Sequence, residues 1–154
     1  MRLRRVLTEQ MQREVPVPLL PSRWRWALVG VVAAVIFYAS VLVVPPQTPD
    51  PGPIGVDKIQ HAAGYFVLGV TIAYALVDRG VERRTGLLAV LLLPVLYGAG
   101  IEVAQSFTAV RTFDVADMLA NAVGGMLACS WFRIAPRLSF VPPERWLSIV
   151  RSSE

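Results

Sequence analysis

Charge is scarce in this chain: only 17% of its 154 residues are Asp, Glu, Lys or Arg, while 55% are hydrophobic. A water-soluble fold of this length would have to hide that apolar surface in a core too small to enclose it. Lipid removes the conflict, so an ordinary soluble domain is excluded. Cysteine is nearly absent. The single thiol, Cys129, lies in an apolar stretch among small residues. Neither a disulfide framework nor a thiolate metal site can be built from it, and it reads as a small buried hydrophobe. No internal repeat occurs, and no hydrolase, zincin or phosphate-cradling loop motif is present. The net charge of +4 invites a nucleic-acid reading, but only the placement of the charges can decide it.

What the chain has in quantity is uninterrupted apolar sequence. Four stretches are long enough to cross a hydrocarbon core, which takes about 20 helical residues. They run from about Trp26 to Val44, Ile59 to Val77, Leu87 to Phe107 and Val115 to Phe132. Gln60 and His61 open the second, Pro94 and Glu102 lie in the third, and Asp117 and Asn121 lie in the fourth and shortest. The first follows an arginine-rich lead, as a signal peptide would. Its apolar run is longer than an h-region, however, and no A-x-A site follows, so it reads as an anchor that stays. The expected fold is all-α, an integral membrane bundle of four transmembrane helices. Residues 1–25 form a basic N-terminal segment, 26–132 the bundle and 133–154 a tail.

The connections are short. Pro45 to Pro53 is too rich in proline for a helix and reads as a stiff extended loop. Asp78 to Arg84 reads as a charged turn, and Ser106 to Asp114 as the third connection. Leu3, Val6, Leu7 and Met11 share one face, giving an amphipathic helix on the membrane surface that ends by Pro16. The tail from Pro142 to Val150 has the same character. Disorder is the alternative for both.

The basic residues set the orientation. Of 15 lysines and arginines, only Lys58 and Arg111 fall in or beside the first and third connections; the rest flank the termini and the second connection. The positive-inside rule then places both termini in the cytoplasm, which agrees with an even number of spans. The basic balance is topogenic, and nucleic-acid binding is set aside.

This topology gathers polar residues at the outward end. Asp57, His61 and Tyr65 are spaced i, i+4, i+8 on one helix face, and Lys58 is beside them. Glu102 and Gln105 are i, i+3 neighbours near the end of the third span; Arg111 and Asp114 are in the loop; Asp117 and Asn121 open the fourth span. An ionised Glu102 facing lipid would cost several kcal/mol, so it should face the bundle interior or a wet cavity, as should His61, Asp117 and Asn121. Gly98 and Gly100 below Glu102, and Gly124 and Gly125 below Asn121, would let helices approach closely.

Four uses of this cluster stand side by side. It could be structural glue, with Asp57, Glu102 and Asp117 paired to Lys58 and Arg111. It could bind an anionic head group through Lys58, Arg111 and His61, although its net acidic charge suits a divalent cation on Asp57, Glu102 and Asp117, which could bridge to phosphate. It could be catalytic, with Glu102 or Asp117 and His61 as acid–base partners on a lipid-linked substrate. A small transporter is the last, and would have to oligomerise.

The segment Asp57-Lys58-Ile59-Gln60-His61-Ala62-Ala63-Gly64-Tyr65-Phe66, then Glu102-x-x-Gln105-x-Phe107 and Arg111-x-x-Asp114-x-x-Asp117-x-x-x-Asn121-x-x-Gly124, resembles the VanZ-like family. That family is named for a protein associated with teicoplanin resistance. The likeness runs from about Val56 to Ala128, and the first span agrees in kind rather than by motif. It implies a small helical protein of the bacterial cell membrane. The expected partners are the lipid bilayer and an outer-leaflet ligand, lipid-linked or peptidoglycan-related, met directly or through a cation.

Overall fold

The computed structural model describes residues 14–43, 55–107 and 114–152. The segment carrying Leu3 to Met11, the proline loop from Pro45 to Pro53 and Arg111 lie outside the described residues. Helix α1 spans Ser22–Phe37 and continues as a π-helical turn over Tyr38–Leu42. Helix α2 spans Val56–Leu76, α3 spans Arg83–Ser106 and α4 spans Val115–Ala128. A break at Cys129 and Ser130 leads to a single turn, α5 (Trp131–Ile134), and a tight turn over Ala135–Arg137. Four helical stretches, Ser22–Leu42, Val56–Leu76, Arg83–Ser106 and Val115–Arg137, are long and apolar enough to cross a membrane. The shortest expected span is thus completed by chain beyond its break.

One expectation is corrected. The protein is mostly but not wholly helical, because β1 (Val15–Pro18) pairs in parallel with β2 (Leu138–Val141). Each strand has only four residues, and their partners lie more than a hundred positions apart. Prolines 16 and 18 are tolerated because a two-stranded sheet has only edges. The tail forms helix α6 (Pro143–Arg151), whose Trp146 indole N–H donates to the Pro16 carbonyl at 3.2 Å. The sheet ties the segment before α1 to the segment after α5 at one end of the bundle.

The bundle turns its apolar residues outward as well as inward. Val31 and Val35 of α1 are 59% and 61% exposed, and Leu96 of α3 and Leu119 of α4 are 65% and 63% exposed. Water would penalise that surface, whereas hydrocarbon would not. Inside, α2 packs most extensively on α4, around Tyr65, Leu68, Ile72, Val90 and Ala128. Gly124 makes that contact possible. A Cβ there would strike the Ala62 carbonyl and lie 2.8 Å from the Phe66 nitrogen, both backbone atoms of α2. The helices meet without lipid-driven attraction because small residues let their backbones touch.

Candidate functional site

Three helix ends meet at one end of the bundle: the start of α2, the end of α3 and the start of α4. Lys58, in the first turn of α2, extends its ammonium between three carboxylates. It donates to Asp57 Oδ2 at 2.8 Å, Asp114 Oδ2 at 2.6 Å and Asp117 Oδ1 at 2.6 Å. Asp114 joins all three helices. It caps α4 by accepting from the Ala116 N–H at 2.7 Å, and its own N–H donates to Glu102 Oε2 at 3.1 Å. The neighbouring ammonium, aided by the Ala116 N–H, holds the Asp114 carboxyl below the usual range.

One turn deeper, the ring of His61 lies flat with that of Tyr65, 6.3 Å between centroids. His61 Nδ1 meets Asn121 Oδ1 at 3.0 Å, a contact that suits an Nδ1–H donating to the amide oxygen. Its Nε2 then faces Asp117 Oδ2 at 3.6 Å. Gly98 leaves room for this layer: a Cβ there would lie 2.6 Å from Asn121 Nδ2 and 3.1 Å from Tyr65 Cε1. Glu102 is 0% exposed and Tyr65 is 1% exposed. Among the described residues, neither Glu102 Oε1 nor the Tyr65 hydroxyl, both buried, has a hydrogen-bond partner. Such atoms are rare in folded proteins, and a water, ion or ligand is one way they are met; Arg25 Nε, at the opposite end, is the third among the described residues.

The structure therefore brings together Asp57, Lys58, His61, Tyr65, Glu102, Asp114, Asp117 and Asn121. Asp57 stands at the exposed rim with Lys58 as its ion-pair partner. Gln105 is buried, but its amide donates to the Ser40 carbonyl at 2.8 Å, which ties α3 to the π-helical turn. Among the described residues, no three His, Cys, Asp or Glu side chains form a group able to hold a metal ion. Asp57, Glu102 and Asp117 are accordingly not gathered as a cation cage, and Lys58 supplies the positive charge among the carboxylates.

At the opposite end lies a feature that sequence reading missed. Arg25, counted there as one more topogenic charge, is 0% exposed. Its guanidinium donates to the Tyr74 carbonyl at 3.0 Å, the Ala75 carbonyl at 3.4 Å and Asp78 Oδ2 at 2.5 Å. It thereby satisfies the orphan carbonyls at the C-terminus of α2, where the helix dipole favours a cation. The carboxyl of Asp78 is held below the usual range by this contact. The ring of Tyr74 lies 5.7 Å from the guanidinium carbon, and its hydroxyl donates to the Pro18 carbonyl at 2.6 Å. The signal was positional: Arg25 sits one helical turn past the start of α1, whereas Arg23, in the first turn, is exposed.

A profile of the VanZ/LLP1 family matches residues 5–136. The chain belongs to the VanZ-like family. The matched region reaches back through α1, so the first span belongs with the motif-bearing ones. An uncharacterised protein of Schizosaccharomyces pombe, C11E3.10, is 34% identical over 98 residues, covering 64% of this chain and 54% of that protein. The chain thus spans about half the length of that curated relative. A yeast relative also means that similarity to this VanZ-like chain does not by itself place a protein in bacteria. No solved structure matches.

Proposed function

We propose that this VanZ-like chain is a multi-pass membrane protein of the cell envelope, with both termini in the cytoplasm. Its polar site then opens to the outside and recognises a hydrogen-bonding head group on an outer-leaflet, lipid-linked ligand. The observation that carries this reading is the pair of buried oxygens without partners, Glu102 Oε1 and the Tyr65 hydroxyl. They lie beneath a rim closed by salt bridges from Lys58. An unmet carboxylate oxygen and phenol suit a ligand hydroxyl or amine, as on a sugar or an aminated head group. Leaving them unmet costs about 1–3 kcal/mol each, which a fitting ligand would recover. The Lys58 ammonium takes the place of a bridging cation and favours direct recognition.

A second reading is an enzyme acting by acid–base chemistry on an envelope lipid. It is favoured by His61, whose Nδ1 is oriented by Asn121 while Nε2 faces Asp117. One bridging water, or a closer approach once a ligand is bound, would let a proton pass between imidazole and carboxylate.

Native mass spectra of the protein in lipid nanodiscs, beside Glu102→Gln and Tyr65→Phe, decide between them. Recognition predicts a co-purifying lipid in the native protein that is absent from both variants. Bare protein in all three, with the variants merely less stable, would leave only the structural role. A ligand that stays bound to Glu102→Gln but is no longer turned over would make the protein an enzyme.

The sidedness has its own test. In a Cys129→Ala background, a cysteine placed at Gln47 should react with an impermeant thiol reagent from outside, and one placed at Glu82 should not. The reverse pattern would turn the site to the cytoplasm.

A further inference from the structure

The end of the bundle opposite the Lys58 cluster carries two adjoining cavities that the recognition site does not use. The first, a hollow wide open to the surface with a volume of about 640 Å³, is lined by Arg83, Arg133 and Arg137 together with Phe132, Ala135 and Pro136. The second, of about 250 Å³, is lined by apolar side chains including Leu76, Val77, Val81, Trp131 and Phe140. Phe132 and Ala135 border both. A basic chamber and an apolar slot share one wall.

The three arginines arrive from separate elements. Arg83 is the first residue of α3, where no side chain caps the helix and the dipole is positive. Arg133 is on α5, and Arg137 ends the turn that leads into β2. Among the described residues, none of the three forms an ion pair; the acids nearest in sequence, Glu82 to Arg83 and Glu144 to Arg137, pair with none of them. Three like charges converging on one cavity repel each other unless an anion lies between them. Guanidinium forks match phosphate oxygens in pairs.

We propose that this double cavity binds an anionic phospholipid of the cytoplasmic leaflet, with its phosphate among Arg83, Arg133 and Arg137 and an acyl chain in the slot beside Phe132. The shared wall distinguishes a lipid from a free phosphate, because a soluble anion has no use for the apolar slot. The site rests on the membrane reading but not on any function of the Lys58 end. The parallel strand pair holds β2, and with it the edge of the slot at Phe140, against the bundle.

The test is native mass spectrometry of the full chain released from nanodiscs of phosphatidylcholine with 30% phosphatidylglycerol, counting bound lipids of each class. Phosphatidylglycerol should be retained preferentially, and its occupancy should fall about fivefold for each arginine changed to glutamine. These side chains are exposed and unpaired, so Arg133→Gln and Arg137→Gln should melt like the native protein. Val81→Trp fills the slot from its exposed rim and should lower lipid retention while keeping all three arginines. Equal retention of both lipids, or unchanged retention in the arginine variants, would overturn the proposal. Displacement by millimolar inorganic phosphate, with Val81→Trp without effect, would assign the chamber to a soluble anion and overturn the lipid.

Discussion

Replacing Arg25 with alanine is expected to lower the stability of the detergent-solubilised protein by roughly 3–5 kcal/mol. The side chain is 0% exposed, and its guanidinium is bonded to two carbonyls at the end of α2 and to Asp78. Truncation would take the guanidinium donor from the buried Ala75 carbonyl and leave the Tyr74 carbonyl with only the Val77 N–H, remove the counter-charge of Asp78 and open a cavity beneath Tyr74. Arg25→Lys should recover less than half of the loss, since one ammonium cannot form the fork that meets a carbonyl and a carboxylate together. Asp78→Asn should cost much less, because Asp78 is partly in solvent. The measurement is equilibrium unfolding in mild detergent, followed by Trp fluorescence. Arg25→Ala within about 1 kcal/mol of the native protein would show that the guanidinium is not an anchor.

The site and the fold were legible in the sequence to different depths, for physical reasons. The four spans stand out because apolar length is a local property, and even the fourth, weakened by Asp117 and Asn121, was required by the charge distribution. The helical period placed Asp57, His61 and Tyr65 on one face, and depth arguments turned Glu102 and Asp117 inward; His61 does reach Asn121, and Lys58 does reach Asp117. Which pairs touch could not be read, because the contacts depend on how α2, α3 and α4 approach one another. Gln105 shows this: its spacing from Glu102 suggested the site, yet it bonds Ser40 of the first span. The strand pair was invisible, since four residues with two prolines carry no period and no hint of a distant partner. Arg25 was misjudged because hydropathy scores a charge by type, whereas its burial is set by the open end of a neighbouring helix.

Lys58→Met is the second change with a large expected effect, and its pH dependence should be opposite to that of the native protein. The methionine keeps the apolar stem but removes the cation shared by Asp57, Asp114 and Asp117. A sealed ion pair broken on one side costs about 3–5 kcal/mol, but Lys58 is 23% exposed and water can partly solvate the carboxylates, so about 2–3 kcal/mol is expected at neutral pH. In the native protein the Asp114 carboxyl is held low by Lys58. Its folded value lies below the unfolded value of about 3.9, so its contribution is fully present above that pH and is lost as pH falls through the folded value. The contribution of Asp114 to native stability should therefore be constant above about pH 5 and be lost below about pH 4. Without the ammonium the carboxylates face one another uncompensated, acidification relieves their repulsion, and the variant should gain stability as the pH falls. Adding Asp114→Asn and Asp117→Asn to Lys58→Met should restore much of the loss, since the repulsion goes with the charges. That triple variant also separates architecture from recognition. If it regains stability and still retains the native protein's lipid, the charged rim only holds the helices together and the buried Glu102 and Tyr65 make the site. If it regains stability but comes away bare, the rim itself is part of what the ligand touches.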